Sequence, residues 1–457
     1  MMIIFFLIYE KKLNNFNFNL VYKKKINTIN FNRIYKKKIK REQIMIKREK
    51  YLKKLEKLKD KDYIKILMGI RRSGKTTLLK TYIKELEKKG INKNNIIFIS
   101  FESRKYNTIK NFKELDQIIY KQIKNTEGKI YLFFDEIQYV DQWEKSINGY
   151  RVDLDCDIYI TGSNSSLLAS DLATTLTGRY IVINIYPFSF KETLQYKKEI
   201  EKIKLTTTKE KEIYKEYFKF GGMPGILKLD EENKLESLNT IYDTIMLRDI
   251  IDKYEIKKND LFNRFTYYLM STPGETFSST SITNFFKSQN RRVSTDTILR
   301  YATYLTESYF LSKARRNDLK GKNLLKTLEK YYLTDHGFHQ AIVKDNKDNI
   351  TGILENIVYI ELLRRDYKVT IGKIYDKEID FICEKNNKKI YIQVSYTIGE
   401  INTREREMKP FSLIDDDNER YIISTDDEDY SRRYVKHLHI IDFLKSDIWY
   451  FSFIYLF

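Results

Sequence analysis

Apolar residues between positions 45 and 200 switch between two rhythms. Short unbroken runs at residues 63–68, 95–101, 130–134, 157–161 and 180–185 predict β-strands. The segments between them follow helical spacing over 47–59, 76–89, 112–124 and 165–176. The 76–89 stretch is typical: Leu78, Leu79, Tyr82, Ile83 and Leu86 fall on one side, and Gly90 stops the helix. Apolar strands alternating with helices predict an α/β fold, a parallel sheet covered on both faces. After Pro187 the strands stop. Residues 209–220 and 234–254 read as helices around the turn Gly221-Gly222-Met223-Pro224-Gly225, and 277–316 reads as helix, turn, helix and a short hairpin. Residues 350–445 return to mixed α/β. Charge-rich joints near 200–210 and 315–350 divide the chain into an α/β domain at 45–200, a helical region at 201–335 and a small mixed module at 336–445.

Composition changes this picture at the ends. Hydrophobic residues make up 42% of the 457, which excludes wholesale disorder. Two cysteines, Cys156 and Cys383, exclude a disulfide framework and suit a reducing compartment. No run approaches the roughly 18 apolar residues of a membrane helix, so a cytoplasmic protein without a membrane partner is expected. The formal net charge of +20 suggests a polyanionic partner. That excess is uneven: residues 1–44 hold eleven Lys and Arg against two Glu, leaving +11 for the remainder. The extension reads either as a basic arm for nucleic acid or as a disordered segment upstream of a translation start at Met45. Residues 446–457 form an aromatic tail.

Candidate chemistry concentrates after the first strand. Gly69-Ile70-Arg71-Arg72-Ser73-Gly74-Lys75-Thr76 fits G-x-x-x-x-G-K-[ST], with a strand before it and a helix after it. That context wraps backbone N–H groups around phosphate and aims a helix N-terminus at it. Lys75 is placed to reach the β- and γ-phosphates of ATP, the Thr76 hydroxyl to bind Mg²⁺, and Thr77 completes the binding segment. The 130–134 strand ends in Asp135-Glu136, giving a carboxylate, Asp135, to hold Mg²⁺ through water and a general base, Glu136, to polarise the attacking water. At the end of the following strand, Ser163 or Asn164 is a candidate to orient that water, or a cap for the next helix.

These motifs resemble the AAA-type P-loop ATPases. Together with Thr161-Gly162-Ser163, Gly178-Arg179-Tyr180, Tyr186-Pro187-Phe188-Ser189-Phe190 and Gly221-Gly222-Met223-Pro224, they look like a prokaryotic family that joins such a domain to a C-terminal domain of unknown function. The likeness runs from about Met45 to about Leu444. It implies a start near Met45, assembly into a homo-oligomer as one option, and Arg179 as a contact to the γ-phosphate in cis or across a subunit boundary.

The remainder reads as two modules. Residues 277–316 fit a winged helix capped by Ser294, with Ile298, Leu299, Ala302 and Leu305 as its buried stripe. Arg291, Arg292, Thr297 and Arg300 are then available to a DNA backbone or groove, or the winged helix is a structural or protein-contacting lid. Residues 352–395 resemble a restriction-endonuclease-like core containing Glu355 and Asp380. Gln393 and Ser395 stand where a metal-binding Glu and a Lys belong, which points to an inactive fold. Three functions follow: ATP hydrolysis that drives or switches the C-terminal modules, a DNA-binding regulator using ATP as a slow switch or structural ligand, and an ATP-gated nuclease.

Overall fold

The computed structural model describes residues 46–165, 178–318, 329–344 and 349–446. The extension at 1–44, most of the helix expected at 165–176 and the aromatic tail from 447 onward lie outside the described residues. From Lys47 the chain forms one compact unit.

Five strands build the first sheet: β1 (Ile64–Met68), β2 (Ile96–Ser100), β3 (Ile130–Asp135), β4 (Cys156–Gly162) and β5 (Tyr180–Asn184). Their order is β2-β3-β4-β1-β5 and every neighbouring pair is parallel. Each begins and ends within a residue or so of the predicted run. Alternate residues pack into separate cores above and below the sheet. Ile64, Ile66, Met68, Leu132, Phe134 and Ile160 face one side; Leu67, Tyr131, Phe133, Tyr159 and Ile183 face the other. Burial on both faces is why these strands read as unbroken apolar runs. The fold is that of a P-loop NTPase.

Two helices in this half escape the apolar pattern. Trp143–Asp153 carries Gly149 and has a weakly one-sided sequence. Phe190–Glu199 follows Pro187, where the pattern gives out. It opens with a capping box in which Ser189 and Glu192 bond each other's backbone N–H, a signal present in the sequence as Ser189-x-x-Glu192.

The second half begins with helices Thr207–Phe220, Glu231–Thr244 and Asn259–Ser271. Residues 234–254 are not one regular helix, because Ile245–Ile251 forms a π-helical segment. Strand β6 (Thr276–Phe277), helices Ser279–Ser288 and Thr295–Glu307, then β7 (Leu311–Asp318) and β8 (Glu329–Leu333) follow. Ser294 caps the second of these helices, accepting from Thr297 N–H. Its buried stripe is Ile298, Tyr301, Ala302 and Leu305; Leu299 is exposed, since it lies a full helical step away from that face.

The hairpin is longer than expected, and its second strand lies beyond residue 316. Strand β7 has two partners: residues 311–314 pair antiparallel with β8, and residues 315–318 pair in parallel with β9 (Lys368–Ile374). β10 (Lys377–Lys385), β11 (Lys388–Val394), β12 (Glu419–Ser424) and β13 (Lys436–His439) complete an eight-stranded sheet ordered β13-β12-β11-β10-β9-β7-β8-β6. One sheet therefore runs from residue 276 to residue 439, straight across the 315–350 joint.

Candidate functional site

The glycine loop leaves the C-terminal end of β1, flanked by β4 and β5. A Cβ on Gly69 would lie 2.2 Å from the Ile185 carbonyl oxygen, so only glycine lets the loop pass the chain after β5. Gly74 is the N-cap of helix Lys75–Lys88, whose first N–H groups have no partner within the helix. Arg72 is exposed with φ 64°, while Ser73 is buried and its Oγ has no hydrogen-bond partner. Lys75 is buried and its ammonium donates to the carbonyls of Gly69 (2.9 Å) and Ile70 (3.3 Å). Thr77 is half-buried one residue further on.

Parallel register brings the ends of β1, β3 and β4 together. Asp135 is buried there and collects three hydroxyl donors. Thr76 Oγ1 approaches both its oxygens (2.8 and 3.1 Å), Thr161 Oγ1 donates to Oδ1 (2.9 Å), and Ser100 Oγ donates to Oδ2 (2.9 Å). Hard oxygen donors of this kind suit Mg²⁺. Glu136 follows with φ 55°, a left-handed conformation uncommon outside glycine, and its N–H donates to Thr161 Oγ1 (2.9 Å). Its carboxylate accepts from Gln138 Nε2 (2.5 Å) and stands 3.6 Å from the Lys75 ammonium. Ser100 is not singled out by the sequence, and Thr161 only within the Thr161-Gly162-Ser163 motif; a hydroxyl at the end of each neighbouring strand was the available signal.

Ser163 and Asn164 are buried just past the end of β4. The Asn164 amide meets the Tyr254 hydroxyl at 3.3 Å, and that hydroxyl donates to Glu307 Oε2 (2.5 Å), so Asn164 faces the helical region. Arg179 does not join the site in cis. Its carbonyl accepts from Ile64 N–H (2.9 Å), at the N-terminal end of β1. β1 and β5 run in parallel, so the phosphate loop lies a strand length away, about 16 Å for five residues. Arg179 is exposed there, and its charge acts on Asp62.

Residues 61–194 match the AAA domain, and residues 211–349 match a domain of unknown function. An uncharacterised protein of Haemophilus influenzae is 40% identical over 79% of this chain and 89% of its own length. An uncharacterised protein of Methanocaldococcus jannaschii is 34% identical over 76% of this chain and 78% of its own length. The chain belongs to one family with these proteins, and its residues 61–194 are similar to the AAA domain. Among solved structures, a Walker-type ATPase of Pyrococcus abyssi aligns with 66% of this chain and 97% of its own, at 17% identity and a TM-score of 0.44.

The AAA domain's loop is gripped from outside the sheet. Buried Arg48 donates to the Ser73 carbonyl (3.2 Å) and to both carboxylate oxygens of Glu192 (2.7 and 2.9 Å). Burial pushes the Glu192 carboxyl up, but the Arg48 guanidinium more than offsets this and holds it below the usual range. Pro224, from the turn predicted as Gly221–Gly225, lies beside Gly74. That turn is locked in place by Asp335, which accepts from the N–H groups of Gly222 and Gly337 (2.9 Å each).

The C-terminal constellation differs from the nuclease pattern in one unforeseen way. Asp380 is placed on β10 and Glu355 on helix Ile350–Arg364. Asp380 Oδ2 accepts from Val394 N–H (2.7 Å), Gln393 donates to Glu407 (3.0 Å), and Ser395 donates to the Thr397 carbonyl (3.0 Å). A lysine not read from the sequence lies among these carboxylates: Lys330 on β8 is buried 3.0 Å from Glu355 and 2.6 Å from Glu378. Among the described residues no helix is long and apolar enough to cross a membrane.

Proposed function

We propose that the protein binds ATP at Gly69–Thr76, hydrolyses it, and uses the cycle to change the arrangement of its C-terminal modules. The observation that carries this reading is the Thr76–Asp135–Thr161–Glu136 chain of hydrogen bonds beside the Lys75 ammonium. Thr76 and Asp135 would hold Mg²⁺, which neutralises developing charge on the phosphates. Lys75 leaves its carbonyl partners for the phosphates, which frees Glu136 to take a proton from water. Thr161 fixes Glu136 through its backbone, and the buried Ser73 hydroxyl is available to a phosphate oxygen. Arg179 is kept only as a contact to a neighbouring subunit's site.

In the same reading, residues 259–333 form a winged helix and residues 350–445 an inactive nuclease-like module. The order helix, β6, helix, helix, β7, β8 supports the first; Gln393 and Ser395 support the second. DNA binding is favoured by one feature, the exposed Arg292 and Arg300 around the second helix, although Arg291 is already paired with Asp260.

Steady-state ATPase assays of the full chain with and without duplex or single-stranded DNA test the proposal. Lys75→Ala should abolish nucleotide binding. Glu136→Gln should keep binding and lose turnover by about 100-fold or more. Parent turnover no faster than that of Glu136→Gln would favour the DNA-binding regulator instead.

A further inference from the structure

Arg71 is the one P-loop side chain that reaches toward the helical region and finds a carboxylate there. Its Nη1 donates to Asp249 (2.9 Å) and its Nη2 to Glu102 (3.0 Å). Asp249 sits in the π-helical segment Ile245–Ile251. π-turns are rare and concentrate at functional sites, because the wider turn costs hydrogen-bond quality and redirects a side chain. The neighbouring residues hold the same two pieces together: Ile70 packs in one apolar cluster with Ile245, Met246 and Ile250. Two successive loop residues thus engage this segment, one by apolar contact and one by charge.

Asp249 is also close to the chemistry. It is only slightly exposed, and the charges of Arg71, Glu136 and Lys75 all act on it. A triphosphate on Lys75 would bring several negative charges near this carboxylate, while Arg71, with its planar fork, binds phosphate as readily as carboxylate. The two anions then compete for one guanidinium.

We propose that the Arg71–Asp249 pair is a nucleotide-sensitive latch, in which Asp249 competes with the phosphates of ATP for Arg71 and so positions residues 245–251 according to whether the loop is occupied. Asp249 acts through Arg71 and is a positioning residue. The inference rests on the ATP-binding reading above and adds a route from the phosphates to the helical region.

The test uses the full chain, a fluorescent N-methylanthraniloyl ATP with Mg²⁺, and hydrogen exchange of peptides covering 245–251. Asp249→Asn removes the competing charge and should bind about fivefold tighter than the parent. In the parent, nucleotide should raise exchange at 245–251; in Asp249→Asn, exchange should already be high without nucleotide. Asp249→Glu should restore parent behaviour, and Arg71→Gln should weaken binding while abolishing the nucleotide response. Unchanged or weaker binding by Asp249→Asn, with a parent-like exchange response, would reduce the pair to a structural strut and overturn the latch alone. A parent that binds no nucleotide would overturn the ATP reading and the latch with it.

Discussion

Asp135 shows how much of a phosphate site one residue can organise. Thr76, Thr161 and Ser100 all point hydroxyls at it, so both oxygens of this buried carboxylate have hydrogen-bond partners. Thr161 has a second task, because its Oγ1 also accepts from Glu136 N–H. Thr161→Val keeps the shape and removes both bonds. It should cost about 1–3 kcal/mol in denaturant unfolding, since two buried polar groups lose a partner. It should also lower kcat by about 10- to 100-fold with little change in nucleotide Kd, because Glu136 loses its anchor. An equal loss in binding would mean that Thr161 supports the loop and not the base. Lys75 and Thr76 were legible in the sequence because their spacing is imposed by a strand-loop-helix unit, and Asp135 and Glu136 because they end an unbroken apolar run. Ser100 and Asp249 were not, and Thr161 only as part of a family motif, because each reaches the site through sheet register or a long-range contact.

At the scale of elements, helix Phe190–Glu199 joins the loop to the second half of the chain. Its apolar residues Phe190 and Leu194 pack with Tyr214, Tyr217 and the C-terminal sheet. Its capping residue Glu192 holds Arg48, which holds the Ser73 carbonyl. Glu192→Gln leaves the Arg48 guanidinium buried without its counter-charge. The expected loss is about 3–5 kcal/mol of stability, together with a raised KM for ATP as the loop loosens. The pH dependence has a definite sign. Glu192 has a folded pKa below its ordinary 4.5, so its contribution is present above that pH and is lost as pH falls through the folded value. The parent's lead over Glu192→Gln in urea unfolding should therefore shrink below about pH 4.5 and hold steady from there to neutrality. A lead that persists undiminished in acid would exclude the ion pair as its source. The helix was missed because Pro187 and a mixed sequence hide its apolar stripe, although its capping box could have located it.

At the scale of the molecule, the eight-stranded sheet decides what unfolds together. The composition shift near 315–350 suggested a joint, yet β7 donates one half of its length to β8 and the other to β9. A sequence shows charge-rich segments but not which strands lie side by side, so the shared strand was illegible. Lys330 fastens the same seam with a side chain. It reaches from β8 to Glu355 on helix Ile350–Arg364 and to Glu378 on β10, and the Tyr332 hydroxyl donates to Glu355 at 2.5 Å. Burial alone would lower the Lys330 pKa, but the surrounding carboxylates hold it above the ordinary lysine range, so the ammonium persists throughout the neutral range. Lys330→Met keeps the aliphatic length and removes the charge, leaving Glu355 buried without compensation. The expected cost is about 3–5 kcal/mol. Because both halves of the sheet share β7, amide protection should fall together at residues 276–333 and 350–439 in native-state hydrogen exchange. A loss confined to one half would show that the two modules unfold independently despite their common strand.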